Sequence, residues 1–104
     1  QNSEEMLTDY IKIQVQKSIE DYQLALKQSN VYGEAVEQST ENYRILKDKY
    51  DNGLADTNDL LEADVEQLNA TINKALAKAN VVQKYYELLS VTGQLSKTFN
   101  LSKI

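Results

Sequence analysis

The chain is patterned at helical spacing almost from end to end. From Ile11 the positions Val15, Ser18, Tyr22, Ala25, Ser29, Tyr32, Val36, Ser39, Tyr43, Leu46 and Tyr50 follow at alternating intervals of four and three. That is the seam of a coiled coil, diluted by three serines and an alanine. Tyrosine alternating with serine or alanine suggests bulky side chains of one helix filling spaces left by small ones on another. A second register runs through Leu61, Val65, Leu68, Ile72, Ala75, Ala79, Val82, Tyr86 and Leu89. The prediction is an all-α fold: a long antiparallel helical hairpin with coiled-coil packing, the two seams facing each other.

Further apolar residues lie beside each seam: Ile19, Leu26 and Ile45 in the first half, Leu60, Leu76, Val81, Tyr85 and Leu88 in the second. Two helices can cover one stripe each but not two. One reading is a broad core face in a globular bundle. The preferred reading is packing onto further helices outside this chain, so the isolated chain is expected to self-associate through Ile19, Leu26, Leu76 and Leu88, or to be only partly stable.

The break between the registers is Tyr50-Asp51-Asn52-Gly53. Glycine supplies the left-handed conformation that ends many helices, and Lys47 and Lys49 sit where terminal carbonyls favour cations. Asp56, Thr57 or Asn58 can cap the next helix, with Asp59 in its first turn. The expected elements are a helix over about 4–51, a turn over 52–56, a helix over about 57–92 and a C-terminal tail, 93–104. At ~1.5 Å per residue the helices would run ~68 and ~53 Å. Such a hairpin buries little surface per residue and is expected to be marginal alone. Gly33 is expected to mark a close helix contact or a bend, and Gly93 to stop the second helix.

Composition narrows the functions. The 104 residues include no Pro, Trp, Cys or His and three Gly, with a net charge of −5. The negative balance argues against nonspecific nucleic-acid binding, which needs a basic face. Without Cys or His the usual nucleophile–base pairs and zinc sites are excluded, so no catalytic, cofactor-binding or metal-binding residue is assigned and an enzyme is not expected. "DNGLADTNDLLE" falls short of an EF-hand loop, which requires glycine at its sixth position. The N-x-S/T triplets at Asn69 and Asn100 match a pattern that chance supplies often. No apolar run approaches the ~20 residues of a membrane-spanning helix. No signal peptide is read in the stretch from Gln1, and the chain as it stands is expected to be soluble, with a membrane-embedded parent left open.

Charge is concentrated around the turn. In "KYDNGLADTNDLLEAD", residues 49–64, acidic side chains stand at 51, 56, 59, 62 and 64, and no basic residue occurs from 50 to 73. A helix N-terminus favours carboxylates by roughly 0.3–1 kcal/mol each. Glu62, Asp64 and Glu66 lie beyond where that helps.

The run Glu41-Asn42-Tyr43, Lys49-Tyr50, Gly53-Leu54-Ala55 and Asp59-Leu60-Leu61-Glu62-Ala63, followed by Ala70, Ala77, Tyr85, Leu88 and Gly93, resembles the TolC-like outer-membrane efflux protein family. "QVQKSIEDYQLAL", Gln14 to Leu26, looks like the start of that family's preceding helix, and the resemblance covers about 80 residues. Lys49 and Glu62 stand where the family usually has Arg and Asp, and Ala55 where some members carry a basic gate residue.

The resemblance implies a homotrimer in the cell outer membrane, a β-barrel continued by a periplasmic helical tunnel. This chain would be the helical hairpin of the protomer's second half. Its turn would be the tunnel tip, where Tyr50, Gly53, Leu54 and Ala55 dock a periplasmic adaptor (membrane fusion) protein serving an inner-membrane pump. Threefold symmetry would gather Asp59 and Glu62 into an acidic entrance. The alternative is a soluble structural or adaptor-like coiled-coil hairpin with no channel role.

Overall fold

The computed structural model describes residues 3–103, without the side chains at 98, 99 and 101–103. It consists of two helices, α1 (Ser3–Asp51) and α2 (Thr57–Lys103), packed as a hairpin, with no strand among the described residues. The absence of proline lets both run without a missing backbone donor. Two contact units divide the hairpin: residues Lys27–Ala79, which carry the turn, and the open end, through Leu26 and from Asn80 onward.

In the turn-bearing unit the first helix uses the seam its periodicity predicts. Ser29, Val36, Ser39, Tyr43 and Leu46 are half-buried, while Tyr32 stays exposed. The second helix does not. Leu61, Val65, Leu68 and Ile72, predicted to face α1, are exposed, Leu61 at 56% and Leu68 at 59%. The stripe turned inward is Leu60, Ala63, Gln67, Ala70 and Ala77, with Ala63 only 2% exposed. This corrects the predicted pairing of seams, and the reason is steric. Tyr43 on α1 occupies the width of a large side chain, so the facing helix comes close only where it offers small residues. Ala63, Ala70 and Ala77 do so once per heptad, whereas a Leu/Ile/Val stripe would hold the backbones apart. Gln67 Nε2 donates to Thr40 Oγ1 across the helices at 3.2 Å.

In the open-end unit too α2 does not use its predicted seam, but there its inward stripe is made of larger residues. Ile11 and Ala25 are buried on α1, with Val15, Ser18 and Tyr22 half-buried between them. Its α2 contributes Val81, Lys84, Leu88, Val91 and Leu95 at intermediate burial, while Val82, Tyr86 and Leu89 of the predicted seam are exposed. Tyr22 and Tyr85 meet as tilted rings with centroids 5.9 Å apart. Leu88 and Val81, expected to be surplus, therefore belong to the hairpin's own seam, and so does Leu60 in the other unit.

Gly93 does not stop α2, which continues to Lys103, so the expected tail is helical up to that residue. A glycine inside a helix costs about 1 kcal/mol relative to alanine but supplies no terminator by itself. Gly93 lacks the positive φ that ends α1, and no proline follows it. Ile104 lies outside the described residues. Gly33 is not a point of close approach either, since a Cβ placed there meets nothing within 4 Å.

Candidate functional site at the helical turn

The turn is a Schellman motif, and each of its parts can be traced to the sequence. Gly53 takes φ +74°, the left-handed region open to a residue without Cβ. Its N–H donates to the Tyr50 carbonyl at 3.0 Å, and the next N–H, of Leu54, reaches back to the Lys49 carbonyl at 2.7 Å. These are the paired bonds that satisfy the last carbonyls of a helix. Asn52 adds a side-chain bond from Nδ2 to the Asp48 carbonyl at 2.9 Å. Lys47 Nζ donates to Asp51 Oδ1 at 3.0 Å. That hydrogen bond, and then the charge of Asp51, hold the Lys47 ammonium above its ordinary range.

The start of α2 resolves the three possible caps in favour of Asp56. Its Oδ1 accepts the Asp59 N–H at 2.8 Å, and its carbonyl accepts the Leu60 N–H at 3.3 Å. Asp56 is thus the N-cap and Asp59 the third helical residue; of the acidic side chains around the turn, those of Asp51 and Asp56 have local partners. Glu62 has none of this kind. It lines a shallow open groove on the outer face of α2 with Asn58, Leu61, Val65 and Glu66.

Leu54 is the residue without a structural role. In a Schellman motif the residue after the glycine often packs an apolar side chain against the helix's last turn. Here that turn offers Asp48 and Lys49, and Leu54 remains 77% exposed. Ala55 beside it is half-buried, and Tyr50 and Gly53 are exposed. The turn therefore gathers Tyr50, Gly53, Leu54 and Ala55 in a compact tip, with Asp51, Asp56 and Asp59 close in sequence on either side.

The open pair Leu61 and Val65 beside Glu62 was missed from the sequence, because periodicity had already assigned both residues to the hairpin's seam. Among the described residues no three carboxylates converge closely enough to hold a metal ion. No described helix is long and apolar enough to cross a membrane. No known protein family matches the chain, and no curated protein or solved structure shows a significant match to it.

Proposed function

We propose that this chain is the periplasmic helical hairpin of a trimeric, TolC-like outer-membrane efflux or secretion channel, with its turn as the tunnel tip and adaptor-docking surface. It would serve transport and carry out no catalysis. The observation that carries the reading is Leu54, an apolar side chain held out at the tip by a hydrogen-bonded turn that makes no use of it. Two further features support it. The motif around the turn resembles the family's in residues and register, and α2 leaves Leu61, Val65, Leu68 and Ile72 open toward further helices. Asp59 and Glu62, exposed on the first turns of α2, would be triplicated at the entrance.

The test is to fractionate cells producing the full-length protein and measure its assembly state. A trimer in the outer membrane, with barrel strands and a leader in its gene, is the expected result. A soluble hairpin outside that membrane would contradict the reading and favour a coiled-coil protein without a pore.

A further inference from the structure

We infer that α2 pairs with α2 of a second copy of this chain, antiparallel, about a twofold axis at the level of residue 70. The argument is confined to the turn-bearing unit. There Leu61, Val65, Leu68, Ile72, Ala75 and Ala79 form an exposed stripe at intervals of four and three, on the side of α2 away from buried Ala63 and Ala77. This is the spacing by which one helix presents a seam to another. The charges beside it distinguish the possible occupants.

Beside this stripe stand Glu62 and Asp64 toward the turn and Lys78 toward its far end, while Asp59, Glu66 and Lys74 lie on the side of α2 that carries Ala63 and Ala77. A parallel second copy would keep the carboxylates together at one end and leave Lys78 without a carboxylate across the seam. An antiparallel copy reverses this and brings the acidic end of each helix over the basic end of the other. In the register that layers Leu61 on Ala79, Val65 on Ala75 and Leu68 on Ile72, the position flanking the seam at 64 falls opposite 78. Asp64 then meets Lys78 of the second copy, and symmetry makes that pair twice. None of the ion pairs among the described residues engages Asp64 or Lys78. Large residues also fall on small ones at the ends of this register, while Leu68 and Ile72 fill its centre.

The inference does not depend on the channel reading. Pairing of this kind uses the face of α2 that a tunnel wall would cover, so it describes the 104-residue chain by itself, outside an assembled channel. A chain that stays monomeric would remove the inference and leave that reading untouched.

The test uses the 104-residue chain and the fact that it has no cysteine. Sedimentation equilibrium should show a dimer. Asp64→Lys and Lys78→Asp should each weaken it by roughly tenfold, as two attractions become two repulsions. Mixing the two variants should restore association, because each supplies the charge the other lacks. Under oxidation Thr71→Cys, beside the axis, should cross-link. Leu61→Cys should not, its twin lying roughly 27 Å away along the helix. A monomer at all concentrations, no recovery on mixing, or cross-linking by Leu61→Cys in place of Thr71→Cys would overturn the inference.

Discussion

Thr40 and Gln67 join the two helices of the hairpin: the amide nitrogen of Gln67 donates to the Thr40 hydroxyl at 3.2 Å, across a seam that is otherwise apolar or small at that level. Both residues sit near solvent, so the bond replaces bonds to water and its net contribution is about 0.5–1 kcal/mol. Thr40→Val, which keeps the shape and removes the acceptor, should lower stability by that amount in a chemical melt. A loss several times larger would mean that the pair fixes the register of the helices as well as adding one bond.

The exchanged stripes of α2 give a sharper test. Ala63 is buried where α1 comes close, so Ala63→Leu forces the helices apart and should cost about 1–3 kcal/mol. Leu68→Ala removes a larger group from an exposed position and should change the stability of the monomeric hairpin by no more than about 0.5 kcal/mol. Thermal melts at concentrations below any self-association would compare them. The reverse order of effects would restore the pairing of seams that periodicity alone suggests.

At the turn, Gly53→Val places a β-branched residue at φ +74° and should cost roughly 1–2 kcal/mol. Space is not the obstacle, because a Cβ there meets nothing within 4 Å. Asp56→Ala, which removes the acceptor of the Asp59 N–H, should cost about 1 kcal/mol. If Gly53→Val and Gly53→Asn destabilise equally, backbone strain is not the cause, since asparagine tolerates the left-handed region.

Asp59 and Glu62 should matter in an assembled channel and hardly at all in the single hairpin. Exposed single carboxylates are screened beyond ~8–10 Å, whereas three converging on an axis repel one another and attract cations. Asp59→Asn combined with Glu62→Gln should therefore alter the conductance of the full channel or its block by cations. Unchanged single-channel behaviour across cation conditions would leave these residues as helix-end and solvated charges only.

How far the sequence discloses this molecule differs between its two helices. On α1 one stripe is clearly more apolar than the rest, and Ile11, Val15, Tyr22, Val36 and Leu46 are indeed where the hairpin closes. α2 carries two stripes on different faces, and periodicity cannot say which of them meets α1. In the turn-bearing unit size made the choice, with the alanines at 63, 70 and 77 turned inward and Leu61, Val65, Leu68 and Ile72 left out. A hydrophobicity pattern gives alanine little weight, and so it ranks the stripes in the wrong order. Gly93 misleads for a related reason, because ending a helix takes a positive φ and carbonyls bonded behind it, which Gly53 has and Gly93 lacks. The turn itself was legible, since glycine, asparagine and an aspartate cap leave few alternatives.

The tip is where the functional account is most exposed to a single measurement. Leu54→Asp should leave folding alone, because the side chain is 77% exposed and its N–H bond to Lys49 is kept. In the full-length protein this substitution should abolish binding of the periplasmic adaptor and efflux, with expression and trimer formation intact. Wild-type adaptor affinity and efflux in the Leu54→Asp protein would contradict the account and show that the tip is not a docking surface.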